Sequence, residues 1–189
     1  MVVGLVNPGK EYEHTRHNVG ADVVSLLAER HAGRLRPIKG LRASVDELTI
    51  AGRRVALAVP TTYMNESGQA VGPLVERFGL DDLARLVVVH DELDFPPGTL
   101  RVKEGGGLAG HNGLRSIQGQ LASADFVRIR IGIGKPSDPQ RGSDHVLRRP
   151  STSERRVLDQ MVARAADIVE VLVAQGVPEA MQQANRDAD

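Results

Sequence analysis

Two histidines lie three residues apart in the stretch "YEHTRHNVGA", residues 12–21, just before a segment with helical periodicity. Histidine titrates near neutral pH, so either imidazole could transfer protons in a reaction. His14 and His17 could also bind a metal ion, start a helix or lie on the surface. An H-x-x-H pair without further ligands at suitable spacing is a weak metal signal, and the H-E-x-x-H motif is absent. We therefore expect no metal site here.

Further polar residues follow the predicted strands, at the edge where open α/β sheets bind their ligands. In chain order these residues are Asn7, Asn65, Asp91, His111 and Asn112. A carboxylate beside a histidine is a general-base arrangement, because the carboxylate fixes the tautomer of the ring and raises its basicity. Neighbouring amide side chains can orient a water molecule or stabilise a developing oxyanion. The pattern therefore predicts a proton-transfer site that includes His17 and Asp91.

Ordinary structural explanations stay open for the same residues. His17 could simply start a helix, and Asn112 could cap one. Asp91, Glu92 and Asp94 could form a solvated turn, which is the usual environment of acidic clusters. The residues alone do not decide between these explanations and catalysis.

Two other classes of enzyme are disfavoured by their motifs. The chain lacks the G-x-S-x-G elbow of serine hydrolases, so a hydrolase of this sequence would use water as its nucleophile.

The segment "GGGLAG", residues 105–110, satisfies the dinucleotide-binding motif G-x-G-x-x-G between a predicted strand and a predicted helix. The acidic residue that should end the next strand is missing, since Asp125 precedes that strand. A dinucleotide-dependent oxidoreductase is the alternative that this motif leaves open.

The composition is that of a globular protein, with 189 residues of which 41% are hydrophobic. No apolar run approaches the roughly 18 residues that span a membrane, so we expect no membrane association. The start "MVVGLVNPG" carries no basic leader and suits a first strand. The absence of cysteine excludes disulfides, thiolate zinc sites and cysteine nucleophiles. We expect a cytoplasmic protein that forms a single domain over residues 1–189.

Charge is unevenly distributed along a chain whose formal net charge is zero. Residues 101–150 hold 9 basic and 4 acidic side chains, whereas the segments on either side hold a small acidic excess. Arginine accounts for 20 of the 24 basic residues, and its planar guanidinium suits phosphate, although a high-GC genome would produce the same bias. We interpret the basic segment as an indication of a polyanionic partner.

Strands and helices are predicted to alternate along the chain. Strand patterns cover residues 2–6, 86–89, 99–103 and 127–133, and residues 41–59 predict a hairpin. Along the last strand, Arg128 and Arg130 alternate with apolar residues and are expected on a solvated face. The alternation argues for an α/β/α sandwich around a twisted mixed β-sheet.

The helices of this sandwich have recognisable starts and stops. Asn18 is predicted to cap the first helix and Gly33 to end it. Pro73 should kink or delay the second helix, because proline lacks an N–H. The longest helix covers residues 151–175 and begins with a capping box, and Pro178 suits the first turn of a short last helix.

Four segments of the sequence, taken together, form a motif pattern that is specific to one protein family. They are "VGLVNPGKEYEHTRHNVG", "PTTYMNESGQAV", "VVVHDELDFPPGTLRVKEGGGLAGHNGLRSI" and "DFVRIRIGIGKP". In order and spacing they resemble motifs of the bacterial peptidyl-tRNA hydrolase family, from residue 2 to about residue 150. The resemblance implies hydrolysis of the ester between a peptide and the 3′ ribose of tRNA, which frees the tRNA for reuse in translation.

The resemblance also implies roles for the catalytic residues. His17 is expected to be the general base that activates water, and Asp91 the carboxylate that orients it. Asn7, Asn65 and Asn112 match amides that position the substrate and the water, and we count Asn7 with the catalytic residues. His14 matches no catalytic residue.

Substrate contacts are implied in the same way. Tyr12 and Met64 match residues near the 3′ adenosine and the peptide, and we group His111 with the substrate-binding residues. Lys103 and Arg130 match a pair that grips the 5′-phosphate of tRNA, and both lie in the basic segment.

The implied reaction requires no metal, cofactor or covalent intermediate, since an ester is easier to cleave than an amide and a general base contributes roughly 10² to 10⁴-fold. Peptidyl-tRNA, contacted at its acceptor stem and 3′ end, is the expected partner, and we expect a monomer. A tRNA-binding module that has lost catalysis is the alternative, and the complete set of candidate catalytic residues argues against it.

Overall fold

The computed structural model describes residues 1–136 and 138–186. In this part of the chain seven strands form one sheet, in the order β2-β3-β4-β1-β5-β7-β6. The strands are β1 (Val2–Gly4), β2 (Arg36–Ile38), β3 (Ala43–Ile50), β4 (Arg53–Pro60), β5 (Val87–Glu92), β6 (Leu100–Glu104) and β7 (Val127–Gly132). Strands β4, β1, β5 and β7 are parallel neighbours, whereas the pairs β2–β3, β3–β4 and β6–β7 are antiparallel. The sheet is therefore mixed, as predicted.

Helices cover both faces of the sheet. They are α1 (Val19–Arg30), α2 (Gly68–Arg77), α3 (Asn112–Leu121), α4 (Gly142–Leu147), α5 (Thr152–Gln175) and α6 (Val177–Asn185). Helices α1, α5 and α6 share one apolar cluster, which includes Leu27 and Val169. Helices α2 and α3 belong to a second cluster, which includes Leu74 and Ile117. The two clusters lie on opposite faces of the sheet, and this arrangement confirms the α/β/α sandwich.

Two glycines let the start of α1 approach the sheet closely. A Cβ atom on Gly20 would lie 2.2 Å from the carbonyl oxygen of Val89 in β5. A Cβ atom on Gly4 in β1 would lie 2.2 Å from the carbonyl oxygen of Gly20. Real Cβ contacts are essentially never shorter than 3.0 Å, so both positions require glycine. The close contact places the residues before α1 beside the carboxyl ends of β1 and β5.

The acidic residues after the apolar run belong to β5 and do not form a turn. Asp91 and Glu92 are 2% and 4% exposed, so the solvated-turn explanation is wrong for both. They are buried where β5 continues alongside β7 beyond its apolar residues and beyond the end of its pairing with β1. Asp94, which follows the strand, is exposed and fits that explanation.

Arg128 is fully buried, so the prediction of a solvated face of β7 is wrong at this position. The glycine loop between β6 and α3 covers the guanidinium group. Nη1 of Arg128 donates to the carbonyl oxygen of Gly107 at 2.8 Å, and Nη2 donates to that of Gly105. Arg130, two residues further along, is partly exposed.

The dinucleotide-binding interpretation of residues 105–110 is also wrong. That motif requires a parallel βαβ unit, with the loop at the carboxyl end of a strand that runs parallel to the next one. Strand β6, which precedes the loop, is an edge strand antiparallel to β7. The carbonyl groups of the loop are moreover turned towards Arg128.

Helix boundaries were predicted with mixed success. The capping box of α5 is present, with Ser151 and Glu154 bonded in both directions, and Pro178 lies in the first turn of α6. Helix α2 starts at Gly68 and continues through Pro73, so the predicted delay is wrong. Helix α1 stops before Gly33, with Ala32 in the left-handed conformation. Within the described residues, none of the helices is long and apolar enough to cross a membrane.

Candidate active site

The predicted site residues meet in a cleft at the carboxyl ends of β1 and β5, beside the first turns of α1 and α3. The cleft has a volume of about 390 Å³. The predicted residues in its wall are Asn7, His17, Met64, Asn65, Asp91, His111 and Asn112. The topology therefore brings together residues that are up to 105 positions apart in the chain, from position 7 to position 112.

His17 and Asp91 form a buried hydrogen-bonded pair. His17 lies in the 3₁₀ turn Arg16–Asn18 directly before α1. Its Nδ1 is 2.7 Å from Oδ1 of Asp91. A carboxylate only accepts hydrogen bonds, so Nδ1 of His17 carries the proton and donates it. In this tautomer Nε2 of His17 is the acceptor nitrogen; it makes no hydrogen bond to the described residues, and the ring lines the cleft.

A second histidine donates to the same oxygen of Asp91. Nε2 of His111 lies 3.0 Å from Oδ1 of Asp91. Burial alone would raise the pKa of Asp91, but the electrostatic attraction and the hydrogen bonds of the His17 and His111 N–H groups outweigh burial and hold it far below its usual range. Asp91 is therefore an anion at every pH at which the protein would work.

His111, and not Asn112, caps helix α3. Nδ1 of His111 accepts hydrogen bonds from the backbone N–H groups of Gly113 and Leu114, at 3.2 and 3.4 Å. The alternative explanation that Asn112 caps this helix is wrong, because Asn112 is already the first residue of the helix. Its side-chain oxygen accepts from Arg115, so the amide nitrogen is the group left for other contacts.

The first turn of α3 is pressed against the wall of the cleft. A Cβ atom on Gly113 would lie 2.7 Å from Sδ of Met64 and 2.8 Å from a methyl group of Leu5. Glycine at this position therefore allows His111 to reach Asp91 while Met64 stays buried in the wall.

Asn18 fixes the position of Asn7 by a pair of hydrogen bonds. Oδ1 of Asn18 accepts from the backbone N–H of Asn7 at 2.8 Å, and its Nδ2 donates to the carbonyl oxygens of Asn7 and Tyr12 at 2.9 Å each. Asn18 precedes α1 as predicted, but its side chain does not cap the helix. Oδ1 of Asn7 accepts from the N–H of Met64 at 2.8 Å. Nδ2 of Asn7 has no partner among the described residues and can donate into the cleft.

Other predicted residues lie at or beyond the rim of the cleft. Asn65 and Asn112 are exposed residues of its wall. Tyr12 is outside the wall, and its ring packs edge-on against that of Tyr63, with 6.5 Å between the ring centroids. His14 has a positive φ of 62° and is also outside the wall. The structure thus brings His17, and not His14, into the cleft.

A basic patch adjoins the cleft on the face of β6 and β7 that the glycine loop borders. Its members are Arg101, Lys103 and Arg130, which alternate with apolar residues along the two antiparallel strands, and the buried Arg128 pairs with Lys103 in their register. Nε and Nη2 of Arg130 both donate to Oε2 of the buried Glu92, at 3.1 and 2.9 Å. The guanidinium group of Arg130 also lies 4.3 Å from the ring centroid of Phe95. These contacts fix one edge of the guanidinium and leave Nη1 unbonded to the described residues.

Three side chains of the cleft bring potential metal-ligand atoms close together. In residues 1–136 and 138–186, His17, Asp91 and His111 form the group whose potential ligand atoms lie within 4.8 Å of one another. Oδ1 of Asp91 already accepts from both rings, and a metal ion would have to replace at least one of these protons. We therefore interpret the three residues as a hydrogen-bonded network.

Sequence reasoning missed part of the wall. Glu92 and Leu93 follow Asp91, and α4 contributes Gly142, Val146 and Leu147. The apolar pair Val146-Leu147 in a polar stretch is the sequence signal that could have indicated this wall. The bond from Arg130 to Glu92 was also missed, and it follows from the parallel pairing of β5 with β7.

An α/β/α sandwich whose open cleft holds a buried histidine–aspartate pair has the arrangement of an enzyme that uses general-base catalysis. Comparison with known proteins specifies the class further. The family model of peptidyl-tRNA hydrolase matches residues 1–189. The chain belongs to the peptidyl-tRNA hydrolase family.

Individual relatives agree with this assignment. The peptidyl-tRNA hydrolase of Chloroflexus aggregans is 45% identical over 185 residues, which cover 98% of each chain. That of Kineococcus radiotolerans is 48% identical over 189 residues, which cover 97% of this chain and 95% of the relative. The crystal structure of the peptidyl-tRNA hydrolase of Acinetobacter baumannii has a TM-score of 0.93 at 41% identity, and the match covers 97% of this chain and 93% of that chain.

Proposed function

We propose that this chain hydrolyses the ester between the peptide and the 3′ ribose of peptidyl-tRNA, with His17 as the general base. The observation that carries the proposal is the hydrogen bond of 2.7 Å between Nδ1 of His17 and Asp91. This bond leaves Nε2 of His17 as an unprotonated acceptor in the cleft. A base so oriented can remove a proton from water, whereas an unbonded ring would exchange tautomers.

The reaction then follows two steps. The water oxygen attacks the ester carbonyl carbon while Nε2 of His17 takes one of its protons. The tetrahedral intermediate collapses, the bond to the 3′ oxygen of the ribose breaks, and the proton on His17 passes to that oxygen. The products are a free carboxylic acid and a free 3′ hydroxyl group, and the protein forms no covalent intermediate.

Amide groups in the wall support this reaction. Nδ2 of Asn7 is a donor held in place by the bonds that Asn7 makes to Asn18 and Met64. A fixed donor of this kind can stabilise the oxyanion or orient the water. Asn65, in the 3₁₀ turn Met64–Glu66 before α2, and Asn112, at the start of α3, line the cleft and are suited to the peptide and the terminal nucleotide. Tyr12 and Met64 would border the same ligand groups.

Lys103 and Arg130 are proposed to bind the 5′-phosphate of tRNA. Glu92 and Phe95 hold the guanidinium group of Arg130, so Nη1 is oriented before a ligand arrives. Lys103 is exposed on the neighbouring strand β6, two positions after Arg101, which is the residue that pairs with Arg130. Phosphate contacts of this kind are independent of base sequence, and this suits an enzyme that must accept many tRNAs.

We also propose that the chain works as a single domain and a monomer in the cytoplasm, without metal or cofactor. The tRNA-binding module without catalysis is the alternative to be excluded. N-acetyl-aminoacyl-tRNA distinguishes the two. Release of the blocked amino acid supports hydrolysis, and binding of this tRNA without release would contradict it.

A further inference from the structure

We propose that His111 is a positioning residue that fixes Asp91 and sets the pH range in which His17 works. The inference rests on the proposed function, because it concerns the same histidine–aspartate pair. It changes the role expected for His111, which becomes a donor to Asp91 and not a contact to the substrate.

The hydrogen bonds of His111 determine its tautomer. Nδ1 accepts from the N–H groups of Gly113 and Leu114, so this nitrogen carries no proton. The single proton of the neutral ring must then be on Nε2, which points at Oδ1 of Asp91 at 3.0 Å. The side chain of His111 therefore presents a fixed N–H donor to Asp91 from the start of the ten-residue helix α3.

Both imidazole rings use one oxygen of Asp91. A carboxylate oxygen that accepts two hydrogen bonds has less negative charge available for each of them. The second donor, His111, therefore weakens the attraction of Asp91 for the protonated form of His17. It also prevents rotation of the carboxylate, because Oδ1 is held from two directions.

The packing of His111 makes a direct contact with substrate unfavourable. Its side chain is 8% exposed. The ring lies between two others, with centroid distances of 5.1 Å to His17 and 4.9 Å to His90. His90 is fully buried, and burial lowers the pKa of His90 well below its usual range, so His90 is a neutral packing partner. Its Nδ1 donates to the carbonyl oxygen of Asp91 at 2.6 Å.

The other charged groups around the pair have partners of their own. Glu92 on β5 is bonded to Arg130, and Arg16 beside His17 is bonded to Glu154 and to two carbonyl groups. Arg115 on α3 is bonded to Asn112. The residues of α4 in the wall are Gly142, Ser143, Val146 and Leu147, which do not titrate near neutral pH. Nε2 of His145, also on α4, lies 3.3 Å from the carbonyl oxygen of Ile133, and His145 is outside the wall of the cleft.

Two substitutions separate the two roles of the His111 side chain, which caps α3 through Nδ1 and donates to Asp91 through Nε2. In His111→Asn the side-chain oxygen replaces Nδ1 and keeps the cap, but the amide is too short to reach Asp91. In His111→Gln the amide nitrogen replaces Nε2 and keeps the donor, but the cap is lost. The rate of hydrolysis of N-acetyl-aminoacyl-tRNA is measured from pH 5 to 9 for both variants, together with thermal unfolding.

We expect the Asn variant to unfold near the wild-type temperature but to lose about tenfold in kcat, the size expected when one hydrogen bond to a charged group is removed. The midpoint of the acidic limb of its pH–rate profile should rise by about half a unit to one unit. The Gln variant should unfold earlier but keep the wild-type midpoint. Ser151→Ala, which removes the cap of α5 at a residue outside the cleft wall, is the control for loss of a cap.

Two results would overturn the inference. If His111 were only a cap, the Asn variant would match the wild type and the Gln variant would be the slower enzyme. If His111 touched the substrate, both variants would raise KM and leave the acidic midpoint unchanged. Inactivity of the wild-type protein towards this substrate would instead contradict the proposed function, so the two failures are distinguishable.

Discussion

Asp91→Asn tests the charge of the histidine–aspartate pair with almost no change of shape. The asparagine oxygen can still accept from both His17 and His111, so the rings keep their orientation. What disappears is the negative charge 2.7 Å from Nδ1 of His17. That charge stabilises the imidazolium that forms on His17 when water loses its proton, so we expect the substitution to act on kcat.

The magnitude follows from the geometry. Unit charges centred about 4 Å apart interact by about 4 kcal/mol at the effective dielectric constant of about 20 that suits protein sites. This energy corresponds to a factor of roughly 10³ in rate. It is an upper limit, because a neutral oxygen that accepts a hydrogen bond retains part of the stabilisation. We expect kcat to fall by about 10² to 10³-fold, within the range measured for general bases.

The assay is steady-state release of N-acetyl-amino acid from its tRNA ester at neutral pH. KM should change little, because Asp91 is 2% exposed and has almost no surface for substrate. Asp94→Asn is the matched control: this carboxylate lies outside the cleft wall, where it pairs with Lys135 at 2.6 Å, and its loss should leave kcat nearly unchanged. A kcat of Asp91→Asn within about threefold of the wild type would refute the argument that the charge of Asp91 drives the reaction.

The remaining predictions concern other parts of the molecule. His17→Ala should abolish turnover with little loss of tRNA binding, while His14→Ala should be mild; comparable activity of the two variants would rule out His17 as the base. Arg130→Ala should raise KM more than it lowers kcat and flatten the dependence of KM on salt, and an unchanged salt slope would count against a phosphate contact. Hydrogen bonds from Arg16 and Ser151 lower the pKa of Glu154 from 4.5 to about 2, so its stabilising effect is present above pH 4.5 and is lost as the pH falls towards 2. Urea unfolding of Glu154→Gln should therefore show a smaller loss of stability than the wild type over this interval, and equal losses would contradict the assigned ion pair. Dialysis against a chelator should leave activity unchanged, and activity restored only by added metal would refute the metal-free mechanism.

The architecture could be predicted because it depends on local patterns. The apolar residues of β5 and the capping box at Ser151 are each recorded within a few consecutive residues. The order of strands and helices then restricts the arrangement to a sandwich. The candidate site followed from the same logic, since the residues after β1 and β5 must meet at one edge of a largely parallel sheet.

The wrong predictions from the sequence share a physical cause. Each depends on a contact between residues that are distant in the chain, which a local sequence pattern does not show. Arg128 alternates with apolar residues like any solvated side chain, yet a loop twenty positions earlier in the chain covers it. Asn18 has the ideal residue type for a cap, but the loop after β1 competes for its side chain. His111 is a less common capping residue, and its ring caps α3 through Nδ1 while Nε2 contacts Asp91, 20 positions earlier in the chain.

The contact between Gly4 and Gly20 has a consequence for mutational tolerance. Because backbone touches backbone there, the height of α1 above the sheet does not depend on the size of the side chains between them. Substitutions among the apolar residues of α1 should therefore alter the free energy of unfolding while His17 stays in register with Asp91. The two glycines therefore keep the geometry of the catalytic pair independent of the apolar side chains that pack in the core.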